Sequence, residues 1–282
     1  MKFFIGVLMG WIAWAGIAVQ MVAPARAAEE PVGGKISLQC YTFRAISFFE
    51  TVDKARELGI KYLEMYPGQQ LKPGSQAHTG SDMKPSDVEE MESKLKEAGV
   101  KVVSYGVSGI PTDEAAARKH FEWARKMGLE VLVTETVPNA MLDKLGEEFG
   151  VKIALHNHPQ SWPPDEVLKA CQGLSARIGS CADTGHWKRR GLVPLEQLKK
   201  LEGRIVELHF KDVANVPGRR GYEDRPWGTG ECDAKAMVGE LKRQGFKGYV
   251  TIEYETGSVA DLMKNLPLCI DFFRKAVGEP GQ

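Results

Sequence analysis

Acidic and imidazole side chains recur in this sequence at the points where short apolar runs end. Asp183 closes one such run, and His186 follows it three residues later. A second run ends in residues 207–212, Glu-Leu-His-Phe-Lys-Asp, and a third ends in residues 252–255, Ile-Glu-Tyr-Glu. Carboxylates and imidazoles bind divalent transition metals, and barrel enzymes collect such groups from the carboxyl ends of successive strands. The spacing therefore predicts a metal site that is assembled from distant segments of the chain.

Side-chain alternation indicates which of these groups share the interior of a barrel. In residues 205–211 every second position is apolar, which turns Glu207, His209 and Lys211 to the opposite face. The same rule, applied to the neighbouring runs, predicts four metal ligands on four consecutive strands: His156, Asp183, His209 and Glu253. A barrel interior is normally aliphatic, and a cation offsets the cost of burying charged groups there.

The identity of the metal and of its fourth ligand stays open at this stage. Two imidazoles and two carboxylates favour Mn, Co, Zn or Fe over Ca, and Mg is also compatible. Buried ion pairs of Lys211 with Glu253 or Glu255 are the alternative to a metal. Glu135 ends a run that is apolar on both faces, so the sequence does not decide whether Glu135 or His156 points at the site.

Alternating strands and helices are the scaffold that these side chains need. The predicted strands are 36–43, 60–66, 100–107, 130–136, 151–157, 177–183, 205–211 and 248–255. The clearest amphipathic helices between them are 49–58, 85–98, 112–127 and 192–201, and glycines mark the ends of several helices. We therefore predict an α/β protein with one (β/α)8 TIM-barrel domain over residues 35–278. A doubly wound sheet is the alternative, but its GxGxxG fingerprint is missing.

Two long irregular segments, residues 68–84 and 213–233, follow the second and the seventh predicted strand. In a barrel of this kind both segments emerge at the carboxyl ends of the strands, where active-site loops lie. We predict that they cover a substrate, with plain surface insertions as the alternative.

The N-terminal segment indicates export. Lys2 precedes an apolar stretch over residues 3–22, and Ala25-Arg26-Ala27 fits a cleavage site, so residues 1–27 are predicted to be a signal peptide. The expected location is periplasmic or secreted. Because the stretch has nearly the length that spans a bilayer, an uncleaved N-terminal membrane anchor is the alternative.

Composition excludes several partners. The 37 basic and 37 acidic residues balance, and no basic cluster indicates a nucleic-acid surface. The five cysteines lack the spacing of a disulfide framework or a zinc finger, so buried free thiols are expected. We expect no membrane contact after signal cleavage and leave a homo-oligomer open.

Five motifs stand in a fixed order along the chain. They are 38–44 (Leu-Gln-Cys-Tyr-Thr-Phe-Arg), 155–159 (Leu-His-Asn-His-Pro), 183–186 (Asp-Thr-Gly-His), 209–212 (His-x-Lys-Asp) and 253–255 (Glu-Tyr-Glu). This ordered set resembles the sugar phosphate isomerase/epimerase superfamily, the xylose isomerase-like TIM barrels that are related to endonuclease IV. The resemblance implies a divalent metal, held in part by Asp183, His209 and Glu253, with His186 reaching the substrate or the metal.

The chain departs from that family at residue 156. The family pattern has a glutamate there, which binds the metal and shares proton transfer with the glutamate of the eighth strand, whereas this chain has His156. The paired-glutamate mechanism therefore does not carry over intact. The ends of the second and third strands also lack the extra histidines of the nuclease branch, so a DNA-repair role is not expected.

Together with these observations, the resemblance implies an exported, metal-dependent sugar isomerase or epimerase, with a small sugar or keto-sugar as its partner. The cation would stabilise an enediolate while a proton next to a carbonyl is removed. The candidate proton-transfer residues are Glu253, Glu255, Lys211, His158 and Glu64, and the candidate substrate contacts are His186, Arg225, Tyr41, Gln39 and Trp187. Because β-elimination begins with the same proton abstraction, a lyase or hydratase acting on a 3-keto-glycoside is one alternative. A non-catalytic carbohydrate-binding barrel is the other.

Overall fold

Parallel strands close into a barrel in the computed structural model, which describes residues 33–218 and 221–278. The strands are β1 (Lys35–Gln39), β2 (Tyr62–Met65), β3 (Lys101–Tyr105), β4 (Val131–Thr134), β5 (Lys152–His156), β6 (Ile178–Asp183), β7 (Ile205–Phe210), β8 (Asp212–Asn215), β9 (Tyr222–Arg225) and β10 (Tyr249–Ile252). The order around the barrel is β1-β10-β7-β6-β5-β4-β3-β2. The predicted (β/α)8 barrel is confirmed.

Helices connect the barrel strands and cover their outer face. They are α1 (Phe48–Glu57), α2 (Pro85–Ala98), α3 (Glu114–Lys126), α4 (Ala140–Phe149), α5 (Pro164–Ala170), α6 (Thr184–Arg189), α7 (Pro194–Lys200), α8 (Ala234–Arg243) and α9 (Val259–Val277). Left-handed glycines end α2 at Gly99 and α4 at Gly150, as the sequence predicts. Within the described ranges, no helix combines the length and the apolar character that a membrane span requires.

The outer faces of the strands and the inner faces of the helices form the main hydrophobic core. Leu38, Leu63, Leu132 and Leu208 are fully buried and point from their strands into this layer. The barrel interior is more polar. There Glu207 accepts hydrogen bonds from Ser104 (3.0 Å) and from Thr251 (2.7 Å). Burial, together with the nearby Glu64 carboxylate, raises the pKa of Glu207 to about 8, so its carboxyl group is neutral at pH 7.

The first barrel strand is shorter than predicted. It ends at Gln39, whereas the prediction was 36–43, and Cys40–Phe43 form a 3-10 helix instead. The side chain of Gln39 accepts a hydrogen bond from the backbone N–H of Tyr41, which caps this turn. A side-chain cap of this kind competes with strand pairing, and the hydrophobic pattern alone does not reveal it.

The segment 213–233, predicted to be irregular, contains an antiparallel hairpin of β8 and β9. Its Asp224 is buried and accepts hydrogen bonds from the backbone N–H of Glu255 (2.9 Å) and from the hydroxyl of Thr256 (3.1 Å). These bonds fix the hairpin to the chain that follows β10. The hairpin is therefore an ordered part of the barrel rim.

All five cysteines lie within the described residues, and each is buried and free, which confirms the expectation of free thiols. The predicted signal peptide, residues 1–27, lies outside the described residues, so export stays a prediction.

Candidate metal centre and active site

The carboxyl ends of β5, β6, β7 and β10 bring together the four predicted metal ligands. One ligand atom from each of His156, Asp183, His209 and Glu253 lies within 4.8 Å of those of the other three, and all four residues are buried. His156 sits on β5, Asp183 ends β6, His209 lies on β7 and Glu253 directly follows β10. The cluster therefore depends on the parallel pairing of β5 with β6, β6 with β7 and β7 with β10, which places these four strands side by side.

Asp183 is held so that one carboxylate oxygen stays available. Its Oδ1 caps α6 by accepting the backbone N–H of His186 at 2.7 Å. Its backbone is braced by Asn157, which donates to the Asp183 carbonyl (3.0 Å) and accepts the Asp183 N–H (2.9 Å). The other oxygen, Oδ2, faces His156 Nε2 at 3.7 Å and His186 Nε2 at 3.6 Å.

Lys211 contributes the positive charge at this cluster. Its Nζ lies 3.0 Å from Asp183 Oδ2 and 2.8 Å from Glu253 Oε2, and it also contacts Glu255. The buried ion pairs that the sequence offered as the alternative to a metal are thus present. Gly185 permits this arrangement because a Cβ there would lie 2.8 Å from the Cβ of Lys211.

Protonation states follow from these contacts. Burial raises the pKa of Asp183 and of Glu253, but Lys211 and the neighbouring histidines outweigh it and hold both pKa values well below the usual range. Burial lowers the pKa of His156 to about 4, and that of His186 likewise to about 4. Both imidazoles are therefore neutral at pH 7, which is the form that binds a metal.

His209 is orientated by a carboxylate on each side. Its Nε2 lies 2.7 Å from Glu64 Oε2, and its Nδ1 lies 3.0 Å from Glu253 Oε2. Burial lowers the pKa of His209, but Cys181 and the two carboxylates raise it well above the ordinary value overall. A metal bound at Nδ1 would have to displace a proton, which makes binding pH-dependent.

The donor set fits a divalent cation. Among the described residues, four buried polar atoms of this cluster make no hydrogen bond: both ring nitrogens of His156, Oδ2 of Asp183 and Nδ1 of His209. Oδ2 and Nδ1 do have ion-pair contacts, with Lys211 and Glu253 respectively. Unsatisfied buried polar atoms are costly, and a metal ion bound by one ring nitrogen of His156, Oδ2 of Asp183 and Nδ1 of His209 would satisfy three of these four atoms. The ammonium of Lys211 offsets the carboxylate charge but gives the His156 ring no bond.

A cavity of about 320 Å³ opens beside the cluster. Its walls are formed by Gln39, Tyr41, Tyr66, Pro67, Gly106, Val107, His158, His186, Glu253 and Glu255. Five predicted site residues besides the metal ligand Glu253 therefore face this space: Gln39, Tyr41, His158, His186 and Glu255. The Tyr41 and Tyr66 rings meet edge to face, with centroids 5.2 Å apart, and form an aromatic wall.

The structure decides the direction of Glu135, which the sequence left open. Glu135 Oε1 lies 2.7 Å from His158 Nδ1, and the hydroxyl of Ser161 also donates to it. His158 N–H in turn bonds Ser161 Oγ at 3.1 Å. Glu135 and His158 also lie close enough to His156 to form a second possible metal-binding group, although both are exposed.

Three predicted site residues lie elsewhere than expected. Trp187 is only 1% exposed and packs in the hydrophobic core, so it is not a substrate contact. Arg225 does not line the cavity, because its guanidinium bonds Glu223 and the carbonyl of Asp224 within the hairpin. Glu64 is fully buried against His209, which makes it a support for a ligand rather than a group that touches substrate.

Several residues that line the cavity or lie beside it were not among the predicted site residues. Tyr66 and Pro67 follow β2 directly, so the rule that side chains at strand ends line the active site would have identified them. Arg44, beyond the 3-10 helix, donates to the carbonyl of Glu255 at 2.9 Å, and Arg189 lies 3.3 Å from His186 Nδ1. Arg44 ends the 38–44 motif, which could have pointed to it, whereas no sequence signal distinguishes Arg189 from other arginines.

Comparisons with known proteins agree with this geometry. A sequence model of the family described as xylose isomerase-like TIM barrel matches residues 52–276. The rhizopine catabolism protein MocC of Rhizobium meliloti is 28% identical in an alignment 123 residues long that covers 38% of this chain. The match spans only 38% of the length of that curated relative.

Solved structures extend the likeness to almost the whole barrel. An uncharacterised protein from Parabacteroides distasonis is 31% identical, with a TM-score of 0.69 over 86% of this chain and 99% of its own. D-psicose 3-epimerase in the presence of D-fructose (12% identity, TM-score 0.64) covers 86% of this chain and 99% of its own. The IolI protein with a zinc atom (17% identity, TM-score 0.61) covers 86% and 98%. The family match, over most of the chain, shows that this protein belongs to the xylose isomerase-like TIM barrels.

Proposed function

We propose that this barrel is a divalent-metal-dependent sugar isomerase or epimerase, which removes a proton next to the carbonyl of a sugar or keto-sugar. One observation carries the proposal: four buried side chains converge beside a cavity that has acid–base groups in its walls, and three of the four have a candidate ligand atom that makes no hydrogen bond among the described residues. The likeness to D-psicose 3-epimerase supports the reaction class, and the zinc atom in IolI supports a divalent metal.

His156, Asp183, His209 and Glu253 would hold the cation. When bound, a divalent cation supplies a Lewis acid that polarises a carbonyl. The neighbouring residues set the charge and the orientation of the ligands. Lys211 keeps the carboxylates of Asp183 and Glu253 ionised, and Glu64 fixes the ring of His209. Their buried positions exclude water from the cluster.

Two groups in the cavity wall would move the proton. Glu255 follows β10 and His158 follows β5, and these strands stand three steps apart in a ring of eight, close to opposite sides of the rim. An epimerase needs a base on one face of the substrate and an acid on the other. Glu135 accepts the Nδ1 proton of His158, which leaves Nε2 as the group that exchanges a proton with substrate.

A lyase acting on a 3-keto-glycoside is the second candidate, and residue 156 favours it. The family pattern has a glutamate at this position, which shares proton transfer with the glutamate of the eighth strand. This chain has an imidazole there instead. Removal of one proton next to a carbonyl, followed by loss of a group from the neighbouring carbon, needs one base and one acid. Glu255 and His158 are sufficient for these two roles.

Metal analysis and isotope exchange together test the proposal. Purified wild type should contain about one cation per chain, whereas Asp183→Asn should contain little, since this change removes a ligand charge while keeping the cap of α6. Asp165→Asn, which alters an exposed acid on α5, is the matched control and should retain the metal. A purified wild type without stoichiometric metal would refute the metal assignment.

Exchange in D2O distinguishes the reaction classes. Metal-loaded protein would be incubated with aldoses, ketoses and 3-keto-glycosides, and deuterium incorporation followed by NMR. Incorporation with retention of the carbon skeleton indicates an isomerase or epimerase, and release of the aglycone indicates a lyase. If no substrate exchanges a proton, the chain is a carbohydrate-binding barrel rather than an enzyme.

We also propose export, on the basis of the N-terminal segment. Cell fractionation followed by N-terminal sequencing tests this. A mature protein that begins after Ala27 supports a cleaved signal, an intact N-terminus in the membrane fraction supports the anchor, and a cytoplasmic product refutes both.

A further inference from the structure

We propose that a groove beside the active-site cavity is a second sugar subsite, so that the substrate is a disaccharide or another glycoside rather than a free monosaccharide. This inference rests on the proposed function, since it assigns the reacting ring to the cavity. The groove, called here the outer groove, is lined by Val107, Ser108, Gly109, Glu135, Thr136 and His158 and has a volume of about 420 Å³.

The outer groove is continuous with the active-site cavity. Val107 and His158 line both spaces, which places the imidazole of His158 at their boundary. Small-molecule sites start at about 300 Å³, and the cavity (320 Å³) and the groove (420 Å³) each reach that size. Two adjoining spaces of this size suit two linked rings, with the linkage beside His158.

The lining of the outer groove matches the hydroxyl groups of an uncharged sugar. Ser108 Oγ is buried and makes no hydrogen bond to any described residue, so rotation of its side chain towards the groove would let a ligand hydroxyl satisfy it. Glu135 uses Oε1 for His158 and Ser161, which leaves Oε2 as an acceptor. The six lining residues include a carboxylate but neither lysine nor arginine, so a phosphate or another anion would be repelled.

Gly109 offers a way to fill the outer groove without disturbing the protein. A Cβ built at Gly109 meets no atom within 4 Å, and its φ lies outside the left-handed region, so a larger side chain fits without backbone strain. Gly109→Trp should therefore block the outer groove while the active-site cavity stays intact. Gly239→Trp on α8 is the matched control, because a Cβ at Gly239 also meets no atom within 4 Å.

The test is isothermal titration of metal-loaded wild type and both variants with glucose, maltose, cellobiose and the 3-keto derivative of each. We expect at least one two-ring ligand to bind wild type about tenfold more tightly than its one-ring counterpart, as one or two added hydrogen bonds provide. Gly109→Trp should lose that advantage, and Gly239→Trp should keep it. Ser108→Ala should lose part of it. If Gly109→Trp unfolds at a lower temperature than wild type, Gly109→Leu replaces it.

The outcomes separate this inference from the proposed function. Equal affinity for one-ring and two-ring ligands, unchanged two-ring affinity in Gly109→Trp, or no binding of any ligand in the panel would overturn the second subsite. Proton exchange on one-ring substrates would then still support the enzyme. Conversely, two-ring binding that Gly109→Trp abolishes, without deuterium exchange on any ligand, supports the subsite and refutes proton abstraction.

Discussion

Replacing His156 by glutamate, which restores the family pattern, should make folding depend on a metal. The neutral imidazole of the wild type would become a carboxylate among Asp183 and Glu253, within the 4.8 Å that spans the cluster. At an effective dielectric constant of about 20, two like charges 4.8 Å apart repel by about 3.5 kcal/mol. Lys211, which is already bound to both carboxylates, offsets part of the repulsion from the two neighbours.

We therefore expect His156→Glu to be about 3 kcal/mol less stable than the neutral control His156→Gln when a chelator is present. For a protein of this size that difference lowers Tm by roughly 6–12 °C. Saturating Mn²⁺ should close or reverse the difference, because the added carboxylate is a metal ligand.

Thermal unfolding of both variants, with EDTA and with Mn²⁺, is the measurement. Equal Tm values for the two variants in EDTA would show that residue 156 does not face the carboxylates. An identical Mn²⁺ shift in both variants would show that residue 156 is not a ligand. Either result would contradict the reasoning from which the metal site is inferred.

Four further outcomes are expected. Glu207 has its pKa raised to about 8, so the metal-free protein should lose stability as pH rises from about 5 to 8, by at most about 1.4 kcal/mol per pH unit, and Glu207→Gln should flatten this slope in urea titrations. Leu208→Ala should cost about 2–5 kcal/mol by urea unfolding because Leu208 is fully buried, whereas Leu268→Ala, at a side chain 53% exposed, should cost almost nothing. Ser47→Ala removes the capping box of α1 and should cost about 1 kcal/mol, while Ser47→Thr, which keeps the hydroxyl that bonds Glu50, should recover most of it; equal losses would contradict the capping role. Since all five cysteines are free, a reductant should leave Tm unchanged, and a lower Tm would reveal a disulfide.

The sequence predicted the barrel because each of its cues is local. Apolar runs of strand length alternate with amphipathic helices, and glycines such as Gly99 and Gly150 end the helices in the left-handed conformation that this residue tolerates. The four-ligand cluster could also be predicted, since alternation along a strand fixes the face of a side chain and barrel closure then aligns the strand ends.

The directions of side chains in helices and loops could not be predicted from the sequence. Trp187 follows the metal-site motif directly, yet the α6 backbone turns its ring into the core. Arg225 lies in a segment that was predicted to be irregular, but it is part of the β8–β9 hairpin, which directs its guanidinium to Glu223. In a turn, an error of one residue in the predicted backbone changes the predicted direction of a side chain. In a strand, the alternation of the neighbouring residues fixes that direction.

By itself, then, the sequence determined the barrel and the acidic and imidazole side chains that gather at the ends of four of its strands, because period-two alternation and strand ends are encoded in consecutive residues. Only the tertiary structure decided their pairings. Glu64 meets His209 across 145 residues of chain, and Glu135 meets His158 across 23. Such contacts arise when separate strands and loops pack together. For Glu135 in particular, a strand buried on both faces leaves no alternation from which its direction can be inferred.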